Sequence, residues 1–141
     1  MTQPNGTVSV GEVMSNGVID AAPQTPLLAV AAQMAERGVH CVVVDGLARG
    51  RGGSEELVWG IVSDRDLISA AAAGRLGASA GEVAATEIVT ISPSEPIEQA
   101  VRLMAQHECT HLIVVSDDGE PVGVIASLDV AAALAKTGTV S

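Results

Sequence analysis

Residues 60–66 read GIVSDRD, and residues 123–129 read GVIASLD. Both stretches begin with glycine, continue with two β-branched apolar residues and end with aspartate. Each follows an apolar run and precedes a segment rich in alanine and leucine, which is the pattern of a strand that passes directly into a helix. The sequence therefore contains one strand-to-helix junction twice, and we interpret the chain as an internal repeat.

The repeat extends upstream of the junction. The tripeptide GEV at 11–13 recurs at 81–83, and Pro23 recurs as Pro93, both at a shift of 70 residues. The junctions repeat at a shift of 63 rather than 70, so the first copy holds seven more residues than the second. These fall in the glycine-rich stretch 46–56, where we predict a longer surface turn between two strands.

Apolar periodicity predicts the element order β-α-β-β-α in each copy. The first long helix should be capped by Thr25, hold Pro26 at its first position and stop at Gly38. Because strands and helices do not alternate regularly, we expect a mixed sheet with helices packed on it, an α+β fold. The predicted elements are strands at 18–19, 40–44 and 57–62 with helices at 26–38 and 63–73, then strands at 88–91, 111–115 and 122–125 with helices at 96–107 and 127–136, the last hairpin turning at 116–120.

The composition limits the partners and the location of the protein. Its 141 residues are 48% hydrophobic but include one Trp and no Phe or Tyr. Two copies of about 60 residues are each marginal alone, so they should share an aliphatic core. With 17 acidic and 7 basic residues the net charge is −10, which disfavours nucleic acids and anionic membranes. We find no export signal or membrane anchor in the sequence and expect a cytoplasmic protein.

Residues that often carry chemistry form no catalytic or metal-binding pattern. Cys41 and Cys109 occupy non-equivalent repeat positions in apolar surroundings, so we predict free buried thiols rather than a disulfide. The spacing of His107, Cys109 and His111 does not fix three metal ligands on one point. The Arg/Gly tract at 49–53 is interpreted as a solvated loop. With no P-loop and no nucleophile paired with a base, we do not predict an enzyme.

The first junction allows two interpretations. Ser63 and Asp66 have the spacing of a helix capping box, which needs no function. The same two residues beside a helix N-terminus could bind a ligand, since a carboxylate can accept hydrogen bonds from both hydroxyls of a sugar diol. The second copy has Ala126 in place of the serine but keeps Asp129. We interpret this as favouring ligand binding, because a cap alone should lose the acid more readily than the hydroxyl.

The repeat, the GEV motifs and the two junctions together resemble a tandem pair of cystathionine-β-synthase (CBS) domains, called a Bateman module. The resemblance covers repeat 1 at 8–74 and repeat 2 at 78–136. It implies that two β-α-β-β-α repeats pack through their sheets with pseudo-twofold symmetry, leave two clefts and pair into homodimers. It also implies a regulatory adenosine derivative as ligand: AMP, ADP, ATP, NAD or S-adenosylmethionine. No cofactor is required.

The resemblance assigns roles to particular residues. Ser63 and Asp66 match the hydroxyl and the ribose-binding carboxylate of the first site, and Arg65 stands where an arginine can face a phosphate. Asp129 matches the second carboxylate, while Ala126 and Leu128 depart from the pattern, so the second site is degraded unless Ser127 supplies the hydroxyl. Apolar walls and backbone groups for the base are expected near Val18, Ile88, His40, Cys41, Val42, Thr110, His111 and Leu112.

These features lead to one functional expectation and one rival. We expect a regulatory module that binds an AMP-like adenosine derivative and signals to a partner protein that the sequence does not identify. The rival is a ligand-free dimerisation or scaffold module whose aspartates are only helix caps. In both cases the chain should be a homodimer, with contacts expected at 11–15, 67–73 and 130–134.

Overall fold

The computed structural model describes residues 8–51 and 54–137. Within these residues the chain forms two compact units: a first unit of residues 19–88, and a second unit that combines 8–18 with 89–137. In chain order the elements are α1 (Val10–Val13), β1 (Ser15–Asn16), β2 (Asp20–Ala21), α2 (Leu27–Arg37), β3 (Cys41–Arg51), β4 (Ser54–Ser63), α3 (Asp64–Ala72), α4 (Ala80–Val83), β5 (Thr90–Ile91), α5 (Ile97–His107), β6 (His111–Val115), β7 (Pro121–Ala126) and α6 (Ser127–Thr137).

Each unit is built on a mixed sheet, which confirms the predicted α+β class. The first unit has the strand order β2-β3-β4, with β2 parallel to β3 and β3 antiparallel to β4. The second unit has the order β1-β7-β6-β5, in which only the β5–β6 pair is parallel. The parallel pair in each unit is joined by a long helix, α2 or α5, as a parallel connection requires.

Aliphatic side chains form a separate core in each unit. In the first unit α2 contributes Leu27, Val30 and Met34, which lie at helical spacing and pack on Val42 and Val62 of the sheet. The second unit has the equivalent core, formed by Val10, Ile91, Ala100, Leu112, Val114, Ile125 and Val130. The predicted apolar stripes therefore face the cores.

The GEV segments exchange between the repeats, which the sequence did not predict. Helix α1 belongs to repeat 1 by sequence, yet the backbone N–H of Gly11 donates to the carbonyl of Pro93 at 2.8 Å. Helix α4, from repeat 2, makes the equivalent bond from Gly81 to Pro23 at 2.7 Å. The compact units therefore combine residues of both repeats, whereas the repeat boundaries 8–74 and 78–136 describe sequence similarity.

The glycine that opens each junction is required by this exchange. A Cβ added at Gly60 would lie 2.8 Å from the Ala85 carbonyl oxygen, and one added at Gly123 would lie 2.5 Å from that of Ser15. Ala85 and Ser15 directly follow the exchanged helices α4 and α1, one residue beyond their C-caps. The two junction glycines therefore allow the exchanged segments to approach β4 and β7 closely.

The prediction of a surface turn at 46–56 is wrong. Strand β3 continues to Arg51 and β4 begins at Ser54, with a register shift between Val44 and Leu47. The additional residues form an antiparallel ladder because each segment satisfies the backbone groups of the other. Residues 52–53 lie outside the described residues. The Asp-Gly turn of the second copy is confirmed by a hydrogen bond from the Ser116 N–H to the Glu120 carbonyl at 2.9 Å.

Smaller differences concern element ends. The first short strand lies at 20–21 rather than 18–19, and its counterpart is Thr90–Ile91 rather than 88–91. Pro26 has extended backbone and is itself the N-cap of α2, so Thr25 does not cap the helix. Gly38 ends α2 as predicted, with a φ of 65°. Among the described residues no helix is both long and apolar enough to cross a bilayer.

Candidate functional site

The first junction brings the start of β3 beside the end of β4. Cys41 lies opposite Ser63 in the ladder, and α3 begins at the next residue. The N–H of Asp64 donates to the carbonyl oxygen of His40 at 2.9 Å, which fixes the start of α3 against β3. The residues around 40–42 and 63–66, which the sequence separates by more than 20 positions, therefore form one cluster.

Ser63 and Asp66 form a complete capping box. Asp66 Oδ2 accepts from the Ser63 N–H at 2.8 Å and from the Ser63 hydroxyl at 3.0 Å, while the Asp66 N–H donates to Ser63 Oγ at 3.2 Å. Asp66 Oδ1 has no hydrogen-bond partner among residues 8–51 and 54–137. The half-buried carboxylate can therefore cap the helix with one oxygen and accept hydrogen bonds from a ligand with the other.

Charged side chains lie beside this box. His40 Nδ1 is 3.1 Å from Asp64 Oδ2, and Asp64 Oδ1 accepts the N–H of Arg65 at 2.8 Å. The Arg65 side chain is exposed and has no ion-pair partner in the described part of the chain. No pattern in the sequence indicates the His40–Asp64 contact, because the two residues are 24 positions apart.

The second junction has the same backbone and different side chains. His111 lies opposite Ala126, and the Ser127 N–H donates to the Thr110 carbonyl at 2.9 Å. Asp129 Oδ2 accepts the N–H of Ala126 at 2.8 Å, although Ala126 has no hydroxyl. The interpretation that a cap would lose its acid first does not hold, because this acid caps the helix without a serine.

The family model of the CBS domain matches the chain twice, at residues 10–73 and 80–136. The chain belongs to the CBS domain family. Both matches begin at an exchanged GEV helix and end within or just after the helix that follows a junction. The tandem CBS pair predicted from the two junctions is therefore confirmed.

Several known proteins are similar over most of the chain. The CBS domain-containing protein YhcV of Bacillus subtilis is 30% identical, over 87% of this chain and 83% of YhcV. The uncharacterized protein MK0525 of Methanopyrus kandleri is 28% identical over 88% of this chain, which matches 61% of that relative's length. The solved structure of the CBS domain protein PAE2072 from Pyrobaculum aerophilum, complexed with AMP, has a TM-score of 0.75 at 25% identity and covers 94% of this chain and 100% of its own.

The other predicted binding residues of the CBS pair divide between the two units. Val42 and Leu112 are 1% and 0% exposed because their side chains point into the cores, so a ligand there would meet only their backbone groups. Ile88 precedes β5 and lies in the first unit, whereas Val18 lies in the second, and both are half-buried. The second unit also holds Thr110, His111, Ser127 and Asp129, with Thr110 Oγ1 3.0 Å from His111 Nδ1.

The two thiols differ from each other. Cys41 is buried as predicted, and its burial together with the nearby Asp64 carboxylate raises the pKa of the thiol to about 11. Cys109 is only half-buried, so the prediction of a buried thiol is wrong there; it lies in the turn that follows α5. The described residues contain no group of three or more His, Cys, Asp or Glu side chains arranged to hold a metal ion.

Proposed function

We propose that this CBS pair is a regulatory module that binds an adenosine derivative at its strand-to-helix junctions and passes the bound state to a partner protein. The observation that carries the proposal is the Asp66 carboxylate, which uses Oδ2 for the cap and leaves Oδ1 without a partner among the described residues. The AMP complex of the similar PAE2072 protein supports an adenosine ligand.

In the first unit, Asp66 would accept hydrogen bonds from the ribose hydroxyls. Ser63 would orient that carboxylate, since its hydroxyl already bonds Oδ2 at 3.0 Å. Arg65 would face a phosphate with its exposed guanidinium. The base would contact backbone groups near His40 to Val42 and the side chain of Ile88. Because the junction offers one arginine in a chain of net charge −10, the ligand should carry few phosphates.

In the second unit, Asp129 would take the place of Asp66 in a weaker site. Ala126 supplies no hydroxyl, and Leu128, which is 76% exposed, supplies no positive charge. Ser127, Thr110 and His111 are the remaining polar groups, and Val18 and Leu112 belong to the same unit. The first site should therefore fill first.

A homodimer is the second part of the proposal. On helix α3 the side chain of Ile68 is 71% exposed. On α6 the exposed residues include Leu128 and several alanines. Such apolar helix faces are candidates for burial against a second copy. Of the predicted contact segments, 67–73 and 130–134 include exposed residues of these helices, whereas Val13 and Met14 of 11–15 pack against the core of the second unit.

A thermal-shift screen tests the ligand proposal against the scaffold alternative. Adenosine, AMP, ADP, ATP, NAD and S-adenosylmethionine are added singly, and unfolding is followed by the fluorescence of Trp59, the one tryptophan. A ligand at about 100 times its Kd raises the free energy of unfolding by about 2.7 kcal/mol, which is a shift of several degrees. If no compound raises the melting temperature, the aspartates are helix caps and the scaffold alternative is correct.

A further inference from the structure

Strand β4 lies at the edge of its sheet, and most of its outer side is unpaired. The strand order of the first unit places β3 on one side of β4 and no described strand on the other. At Ile61 the outer side is covered, because its N–H and its carbonyl both bond Ala85 at 2.9 Å. From Trp59 back to Ser54, no backbone bond reaches β4 from outside the hairpin within residues 8–51 and 54–137.

The second unit covers the equivalent edge. Its strand β7 pairs with β1 at Gly123 and Val124, and the N–H of Gly17 donates to the Val122 carbonyl at 2.8 Å. The exchanged segment of that unit therefore follows β7 over several residues, whereas Ala85 makes an isolated bridge to β4. Unpaired N–H and carbonyl groups along an edge form a template for a further strand.

The ladder between β3 and β4 determines which backbone groups face outward. Residues of an antiparallel strand alternate between bonding the partner strand and facing away from it. Ile61 faces away from β3, as its bonds to Ala85 show. The same therefore holds for Trp59, Leu57 and Glu55, since the bulge lies in β3 and leaves β4 regular. Strand β4 thus presents three successive outward positions.

We infer that β4 pairs antiparallel with β4 of a second copy of this chain, with Leu57 opposite Leu57 of that copy. In this register Glu55 stands opposite Trp59, so all three outward positions have a partner. Each outward pair makes two backbone hydrogen bonds, so the contact contains about six. The contact uses a strand edge rather than the faces of α3 and α6, and it does not depend on a ligand.

Charge distinguishes this register from its two neighbours. One shift of the second copy places Glu56 opposite Glu56 and keeps only two outward pairs, and like charges directly opposite are unfavourable in a sheet. The other shift centres the pairing on Val58 and also keeps only two outward pairs. In the inferred register Glu56 stands opposite Val58, so no two glutamates are directly opposite. The edge is therefore complementary to itself.

The two edges of the hairpin differ in their ability to pair. Strand β4 contains neither proline nor a bulge from Ser54 to Ser63. Strand β3 carries the bulge and Gly46, whose φ is 78°, and bulges protect natural edge strands from pairing. A second copy satisfies both exposed β4 edges through one symmetric contact, because the same surface serves on each side.

Single cysteines test the register through disulfide formation. Leu57→Cys is made in a Cys109→Ser chain, because Cys109 is only half-buried, and mild oxidation is followed by non-reducing electrophoresis. Outward pairs have Cα atoms about 5.5 Å apart, which suits a disulfide. The matched controls are Ala48→Cys, opposite Leu57 on the other edge of the hairpin, and Glu55→Cys on the same edge. In the inferred contact the two copies of either control lie about 14 Å apart.

Proline substitutions test the outward backbone groups. Leu57→Pro removes an outward N–H and leaves the bonds between β3 and β4 in place. Ala48→Pro is the matched control, because it makes the same change at the opposite edge of the same residue pair. The emission of Trp59 on dilution reports the contact. Its midpoint concentration should rise at least about tenfold in Leu57→Pro and less than about twofold in Ala48→Pro, with circular dichroism showing that both variants are folded.

A disulfide that forms in Leu57→Cys and in neither control supports the inference. The link should also form in an Ile68→Glu chain, since helix α3 is not part of this contact. Equal linking at all three positions, no linking at Leu57→Cys, or an unchanged midpoint in Leu57→Pro overturns the inference, and β4 is then left to a strand of another protein. If no adenosine compound binds while Leu57→Cys links, the proposed function is wrong and the strand contact stands.

Discussion

The two strand-to-helix junctions share their backbone bonds and differ in nearly every side chain around them. In both, a backbone hydrogen bond of 2.9 Å joins the helix start to the residue just before the neighbouring strand. Both helices are also capped by an aspartate, Asp66 or Asp129. The first adds a serine hydroxyl, an arginine and a histidine–aspartate contact, whereas Ala126, Ser127 and Leu128 stand at the corresponding positions of the second. The carboxylates therefore serve the fold in both units, while a specialised ligand site is expected in one.

The largest effect should come from the glycines that open the junctions. In Gly123→Ala the new Cβ would lie 2.5 Å from a backbone oxygen, against 2.8 Å in Gly60→Ala. Overpacking of this kind costs about 1–3 kcal/mol of unfolding free energy, with Gly123→Ala at the upper end. Urea denaturation followed by Trp59 fluorescence measures it. Gly77→Ala is the control, since nothing lies within 4 Å of its Cβ, and an equal cost at all three glycines would contradict the exchange.

The next effect concerns the exposed helix faces. Ile68→Glu on α3 and Leu128→Glu on α6 place a charge on the proposed dimer contact, which should weaken self-association at least about tenfold. Sedimentation at tens of micromolar protein checks this, because a micromolar dimer has an association free energy of about −8 kcal/mol. A wild-type chain that sediments as a clean monomer contradicts the homodimer.

The number of phosphates should matter less than either of these changes. Arg65 is the only arginine or lysine at the two junctions, so ATP without magnesium should bind about tenfold more weakly than AMP, a difference of about 1.4 kcal/mol. Calorimetry at low salt measures the Kd of both ligands. ATP binding about tenfold more tightly than AMP without magnesium would reverse the expected sign and would require cations that the junctions do not supply.

The smallest expected effect comes from exchanging the serine between junctions. Ser63→Ala makes the first cap like the second, in which Asp129 still accepts the N–H of Ala126 at 2.8 Å. We expect a loss of about 0.5–1 kcal/mol in unfolding free energy, and a gain of similar size for Ala126→Ser. Urea denaturation measures the change in unfolding free energy of each variant. A cost above about 2 kcal/mol for Ser63→Ala would mean that the serine does more than complete the cap.

Local patterns were enough to predict most elements of the fold. The stripe Leu27, Val30 and Met34 predicted a core-facing helix, and the β-branched runs predicted the buried strands, because these signals depend on near neighbours along the chain. The exchange of α1 and α4 was missed because it rests on backbone bonds such as Gly11 to Pro93, which leave no periodic pattern. The 46–56 hairpin was misjudged because glycine and charge indicate a turn even where two segments can pair.

The candidate site could be predicted only in part. The spacing of Ser63 and Asp66 predicted their contact, which the capping box confirms. Burial was harder to foresee: Val42 and Leu112 are expected to supply apolar walls or backbone groups, and strand alternation turns their side chains into the cores, which leaves only their backbone groups for a ligand. The His40–Asp64 contact joins residues 24 positions apart and depends on the register of β3 with β4, which the sequence does not specify.

Calorimetric titration of AMP into wild type, Asp66→Ala and Asp129→Ala tests the inequality of the two junctions most directly. We predict one tight site per chain, a loss of affinity of at least about tenfold in Asp66→Ala and less than about twofold change in Asp129→Ala, since charge-assisted hydrogen bonds contribute about 1.5–3 kcal/mol. Both variants should remain folded, because a lost cap costs about 1 kcal/mol. Asp66→Asn, which keeps an oxygen for the cap, should lose affinity yet melt near wild type. Loss of the tight site in Asp129→Ala with Asp66→Ala unchanged, or unaltered binding in both, would contradict the account.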